Sequence, residues 1–244
     1  MPSDAPNILV LQHISIEHPG ILRDFLRADG IAWHAVELDE GEDIPPLDEF
    51  DALWVMGGPM DVWEEDAHPW LVTEQAAIRE AVIDRGMPYL GLCLGHQLLA
   101  AALGGEVGPA TTPEIGVLEV ELSAAGRASP LFDGFPETCR CLQWHSAEVR
   151  RAPDGAAILA SSPACAVQAI AVGDRAFGLQ YHVEITGATV PEWSEVPAYK
   201  CALEDNLGPD ALAGFQAAAA ANMTVFNTDA RRLYDNFMSV MRTR

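Results

Sequence analysis

Lysine is nearly absent from this chain of 244 residues: Lys200 stands alone, and 14 Lys and Arg face 36 Asp and Glu for a formal net charge of −22. Such a surface repels nucleic-acid phosphates instead of neutralising them, which excludes a duplex-binding role, and it offers no polybasic membrane anchor. No apolar run approaches the roughly eighteen residues that a membrane span needs. Met1-Pro2-Ser3-Asp4 lacks the basic start and apolar core of a signal peptide. Cysteine is also sparse. The odd set Cys93, Cys139, Cys141, Cys165 and Cys201 makes no secreted disulfide framework, so reduced thiols and a cytoplasmic location are expected. Cys139-x-Cys141 has no second cysteine pair and no histidine at ligand spacing, so it reads as two buried thiols on one face of a strand, not as a metal site. What is abundant is globular: 49% hydrophobic against 20% charged residues, enough for one α/β domain spanning 1–244.

The first half alternates strand and helix signals. Asn7 to Gln12 contains the apolar run Ile8-Leu9-Val10-Leu11, and Ile21, Leu22, Phe25 and Leu26 then share one helical face between Pro19 and Gly30. Ile31 to Leu38 and Asp51 to Met56 read as the second and third strands, and Thr73 caps a helix that runs to Arg85 and stops at Gly86. Tyr89 to Leu92 is the fourth strand, followed by a helix over Leu94 to Leu103. This alternation argues for an open, mainly parallel sheet covered by helices on both faces. The second half turns toward β-structure. Val117 to Leu122 alternates apolar residues with Glu, and Cys139 to Trp144 and Ala156 to Ala160 are shorter candidates. Ala166 to Val172 and Arg175 to Tyr181 flank Gly173-Asp174 as a two-residue hairpin turn. From about Gly187 helical spacing returns, in stripes containing Phe215, Met223 and Phe226 and then Leu233 and Phe237. No internal repeat and no linker divides the chain.

Three segments carry chemistry. Gly91-Leu92-Cys93-Leu94-Gly95 lies where a buried strand meets a helix, a sharp turn that projects its central side chain and puts a thiol at a helix N-terminus, where negative charge is favoured. A buried structural cysteine in a tight turn is the bland alternative. In Gln180-Tyr181-His182-Val183-Glu184, the period of two sets His182 beside Glu184, so that a carboxylate can orient an imidazole base. Met56-Gly57-Gly58-Pro59-Met60 ends another strand, and its glycines leave backbone N–H groups free to stabilise an oxyanion; alone it would read as an ordinary turn. In a parallel sheet, the C-terminal strand ends open into one crevice, where the three can converge.

From about Asn7 to Thr186, the core that precedes a helical extension over about 187–244, these motifs resemble class I glutamine amidotransferases. The likeness is narrowest to free-standing members similar to the amidotransferase domain of GMP synthase. It rests on Val55 to Met60, on Gly91 to Leu99 and on Gln180 to Glu184. The resemblance implies a flavodoxin/Rossmann-like sheet with added C-terminal helices. It also implies Cys93 as nucleophile, His182 as base, Glu184 as its orienter and an oxyanion hole from the N–H groups of Gly58 and Leu94. Gly57, Gln97 and the Trp144-His145-Ser146-Ala147 segment match positions that hold the glutamine side of the substrate, Ser146 and Ala147 largely by backbone. No metal or organic cofactor is implied. Two departures stand out: Val183 replaces a common proline, and residues after Thr186 do not match the larger synthetases. No Gly-x-x-x-x-Gly-Lys loop is present, so an ammonia-consuming synthetase would be a separate polypeptide.

The remaining candidates are weaker. His96 reads as structural or pocket-lining. His145 either contacts substrate or fixes its loop. Trp63, His68 and Trp70, with Glu64, Glu65 and Asp66, form either a solvated acidic loop or a lid. His13 and His18 have no metal-ligand neighbours. The expected chemistry is cysteine-dependent hydrolysis of glutamine or a small γ-glutamyl amide through a γ-glutamyl thioester. An ammonia-supplying subunit active only with a synthetase, and a non-catalytic binding protein on the same fold, are the alternatives.

Overall fold

A computed structural model of the chain describes residues 6–243. The chain order is β1 (Asn7–Gln12), α1 (Leu22–Asp29), β2 (Ala32–Glu37), β3 (Ala52–Val55), α2 (Trp70–Arg79), β4 (Tyr89–Leu92), α3 (Leu94–Ala102), β5 (Glu106–Leu122), α4 (Ala124–Ala128), β6 (Thr138–Arg151), β7 (Ala157–Ser161), β8 (Ala169–Val172), β9 (Ala176–Leu179), α5 (Thr189–Trp193), α6 (Pro197–Leu207) and α7 (Ala211–Arg242). All nine strands join one sheet in the order β2-β1-β3-β4-β9-β8-β7-β5-β6. Pairing is parallel from β2 through β4 to β9 and antiparallel from β9 to β6. Of the parallel strands, the central β1, β3 and β4 are buried on both faces, which explains their unbroken apolar runs, whereas β2 at the sheet edge is largely exposed. One face packs Ile8, Val10, Trp54 and Leu90 against α1 and the end of α7; the other packs Leu9, Leu53, Val55 and Tyr89 against α2 and α3.

Several boundaries differ from the sequence expectation. The second helix begins at Trp70, directly after Pro69, and Thr73 lies inside it; after Arg79 it loosens into a π-helical turn over Glu80–Asp84. Proline preset for helical φ starts this helix more effectively than a mid-helix threonine. The β8–β9 hairpin pairs Val172 with Ala176, so its turn holds Gly173, Asp174 and Arg175, with Gly173 at φ 60°. Strands β5 and β6 run well past their alternating cores. The early part of β5 contains Gly108, Pro109, Pro113 and Gly116 and shifts register between Pro109 and Glu114, which erases any period-two signal. The two C-terminal stripes belong to one 32-residue helix, α7.

Candidate active site

Cys93 sits between β4 and α3 with φ 53° and ψ −105°, the one non-glycine residue at positive φ among the described residues. The turn is clamped on both sides. Its N–H donates to the Leu179 carbonyl at 2.8 Å, and the Gly95 N–H donates to the Met56 carbonyl at 3.1 Å. A Cβ on Gly95 would lie 2.1 Å from the Val55 carbonyl oxygen, so backbone replaces side chain there. Strain of this kind persists only where the surroundings over-determine it.

His182 lies beyond the end of β9, held by a single antiparallel bridge to Leu142 of β6. The expected pairing with Glu184 does not depend on a regular strand: His182 Nδ1 is 2.6 Å from Glu184 Oε1, and Glu184 Oε2 accepts the Val183 N–H at 2.9 Å. Cys93 is the other group that acts on the imidazole. Burial pulls the His182 pKa down, but the Glu184 charge, Cys93 and the bond to Glu184 outweigh this and raise it well above the ordinary histidine value. The Trp193 ring packs edge-on against His182 at 4.7 Å between centroids.

A cavity of about 160 Å³ opens above the thiol, lined by Gly58, Pro59, Met60, Asp61, Leu94, Gln97, the Trp144–Ala147 segment and, from α6, Ala198, Tyr199 and Ala202. Gly58, Leu94, Gln97, Ser146 and Ala147 therefore share one cavity with Cys93. Gly57 lies behind it, where a Cβ would fall 2.6 Å from Glu17 Oε2. The Gln97 amide donates to Gln180 Oε1 at 3.1 Å and to the Ala147 carbonyl at 3.2 Å, and the Gln180 amide points at Cys93 Sγ from 3.6 Å. Gln180 was legible in principle, since it stands two residues before His182.

Other groups bordering the site had no such signal. Glu17, on the loop after β1, is buried and accepts a hydrogen bond from the Tyr199 hydroxyl. Burial pushes its pKa up to about 7 against the opposing charge of His182 and the Tyr199 bond. Asp61 is pushed up to about 6, by burial first and then by Glu64.

The weaker candidates fall into structural places. His96 is fully buried, bonds the Val167 carbonyl at 3.2 Å and is lowered by burial to about 4. His145 Nδ1 bonds the Ala147 carbonyl at 2.9 Å and Nε2 faces Glu114 at 3.3 Å, so the ring fixes its own strand while the residue also lines the cavity. Trp63 is exposed, and of the acidic loop's first residues only Met60 and Asp61 reach the cavity. Cys139, Cys141 and Cys165 are buried, and burial raises all three, Cys139 and Cys165 to about 12. Cys201 is exposed on α6, so general thiol reagents can reach it. Among the described residues, no group of His, Cys, Asp and Glu is arranged to hold a metal, and no helix is long and apolar enough to cross a membrane.

Comparison with known proteins gives the family. The family model for glutamine amidotransferase class-I matches residues 21–192. A GMP synthase (glutamine-hydrolysing) of Aeropyrum pernix is 37% identical over 184 residues, covering 70% of this chain and 34% of the relative, so the chain spans about a third of that protein's length. The glutamine amidotransferase-like protein YfeJ of Salmonella typhimurium is 36% identical over 180 residues, 71% of this chain and 74% of the relative. A solved glutamine amidotransferase from Thermotoga maritima superposes with a TM-score of 0.85 at 29% identity, covering 98% of this chain and 99% of its own, helical extension included. The chain belongs to the class-I glutamine amidotransferase family.

Proposed function

We propose that this protein hydrolyses the side-chain amide of glutamine or of a small γ-glutamyl amide, and does so without a partner. Cys93 Sγ attacks the amide carbon while His182 accepts its proton. The tetrahedral oxyanion is received by the N–H groups of Gly58 and Leu94; among the described residues, neither donates to a backbone carbonyl in the surrounding turns. His182 then protonates the departing ammonia or amine, leaving a γ-glutamyl thioester. The same imidazole activates a water that attacks the thioester and returns the thiol, with Glu184 holding the ring and its positive charge throughout. Gln97, Ser146 and Ala147 border the glutamyl portion, and Gln180 sets the position of Gln97.

The observation that carries the stand-alone reading is the cover over the site. Ala198, Tyr199 and Ala202 of α6 line the cavity, and Trp193 of α5 packs on His182. Trp144, Trp193, Tyr199 and Phe215 form one aromatic cluster above it. Residues of the extension thus supply walls of the substrate cavity that a partner would otherwise have to provide. The second reading, an ammonia-supplying subunit that works with a separate synthetase, takes its support from the GMP synthase relative. Purified protein assayed alone for ammonia or amine release, against glutamine and a panel of γ-glutamyl amides, separates the two. Turnover that vanishes in Cys93→Ala is expected. Silence against every amide, with Cys93 reduced and alkylatable, would transfer the assignment to the partnered reading, and silence with an unreactive Cys93 would leave a binding protein.

A further inference from the structure

His13, at the exit of β1, takes no part in the chemistry above, yet it is fully buried against the turn that follows β3. Its Nδ1 lies 2.7 Å from the Gly57 carbonyl oxygen and its Nε2 lies 2.9 Å from Glu74 Oε1 on α2. Both side chains of this pair are inaccessible to solvent. Trp70 stacks on the His13 ring at 5.4 Å between centroids and 22° between planes. A buried ion pair is a costly feature that a packed apolar pair could replace, so its presence here asks for a reason.

The reason lies in which carbonyl is held. The described residues contain no cis peptide, so the Gly57–Gly58 unit is trans and its C=O and N–H point in opposite directions. Gly58 lines the catalytic cavity, whereas His13 and Gly57 do not. Glycine on both sides makes this peptide free to rotate at little intrinsic cost, so it needs an anchor. The surroundings forbid a larger residue at Gly58, where a Cβ would meet Met60 Sδ at 2.7 Å and His13 Cβ and Leu94 Cδ2, each at 2.9 Å.

We infer that His13, backed by Glu74, is the positioning residue of the oxyanion turn: it holds the Gly57 carbonyl toward the interior and thereby aims the Gly58 N–H at the thiol. The inference rests on the oxyanion role proposed above for Gly58. Glu74 serves in two ways, as acceptor for Nε2–H and as the charge that keeps Nδ1 protonated and donating. Burial acts against the charged ring, but the Glu74 charge, the bonds to Glu74 and Gly57, and the charge of Glu17 together raise the His13 pKa. A strong hydrogen bond to the carbonyl also polarises the peptide and makes its N–H a better donor.

The test compares His13→Leu, His13→Asn and Glu74→Gln in a Cys201→Ser background, which removes the exposed thiol. His13→Leu should lower kcat for amide hydrolysis by roughly 10²-fold with KM nearly unchanged, the size of losing one oxyanion donor. Alkylation of Cys93 by iodoacetamide, a displacement with no oxyanion, should proceed at the wild-type rate. His13→Asn retains an amide donor near the Nδ1 position and should recover part of kcat. Glu74→Gln, nearly isosteric, should fold even where His13→Leu does not, and should lose kcat by a smaller factor, again without slowing alkylation. Wild-type kcat in a folded His13→Leu or in Glu74→Gln would overturn the inference, as would equal losses in turnover and alkylation. Crystal structures of wild type and His13→Leu decide the matter independently of activity. A Gly57–Gly58 peptide that keeps its orientation without His13 overturns the inference, and a rotated one supports it. If wild type hydrolyses no amide, the proposed function fails while the peptide orientation still judges the anchor.

Discussion

Gly20 abuts Glu184 so closely that a Cβ on the glycine would fall 1.9 Å from the Glu184 carbonyl oxygen, an oxygen that also accepts the Ile21 N–H at 2.7 Å. With Gly20 at φ 49°, the loop after β1 is shaped to seat the carboxylate that orients His182. Gly20→Ala combines an unfavourable φ with backbone overlap, so it should cost on the order of 1–3 kcal/mol and displace Glu184. Denaturant unfolding and kcat measured on one preparation check this; wild-type values of both would refute the contact's importance.

The strained φ of Cys93 predicts that two inactive variants at this position differ in stability. Cys93→Gly should abolish turnover yet be more stable than Cys93→Ala by about 1 kcal/mol, because glycine tolerates the conformation that alanine does not. Equal midpoints for the two variants would show that the turn relaxes when the thiol is removed.

Glu17 gives a pH signature. Its folded pKa is raised from 4.5 to about 7, so the folded state favours its protonated form. That contribution is fully present below the unfolded value and is lost as pH rises through the folded one, a fall on the order of 3 kcal/mol between the two. Glu17→Gln keeps an acceptor for the Tyr199 hydroxyl without the charge. It should match wild type near about pH 4 and exceed it near about pH 8. Urea unfolding across that range decides, and parallel curves for the two proteins would remove Glu17 as the source.

Cavity size should set substrate range. Ala202→Leu adds volume on the α6 wall with a residue that suits a helix. KM for bulkier γ-glutamyl amides should rise about tenfold or more, the cost of one or two clashing methylenes, while iodoacetamide still reaches Cys93. An unchanged KM across the panel would show that substrates extend in another direction.

The parallel half of the fold was legible because its central strands are buried on both faces and its helices are punctuated by Pro and Gly. Cys93, His182 and Glu184 were legible because two short motifs fix them within five residues each. Gly58, Leu94, Gln97, Ser146 and Ala147 were readable through family likeness, and the structure gathers them around the thiol's cavity. His13, Glu17, Glu74 and Tyr199 were not. Each is an isolated polar residue whose partner lies far along the chain, 182 positions away for Glu17 and Tyr199, and no local period marks such a pair. The long pairing of β5 with β6 was hidden for a different reason, since its prolines, glycines and register shift replace alternation with ladder bonds.

One rod connects the roof of the site to the floor of the protein. At about 1.5 Å per residue, α7 is on the order of 48 Å long. Its first half contributes Phe215, Ala219 and Phe226 to the aromatic cluster around Trp144 and Trp193, and its second half contributes Ala230, Leu233, Tyr234 and Phe237 to the core beneath β1, β3 and β4. A helix anchored at both ends transmits displacement along its axis, so lifting the cover by even a side chain's width would pull on the central core. The cover formed by α5 and α6 shares its core with the first half of this rod, so the cover and the sheet should melt in a single cooperative step.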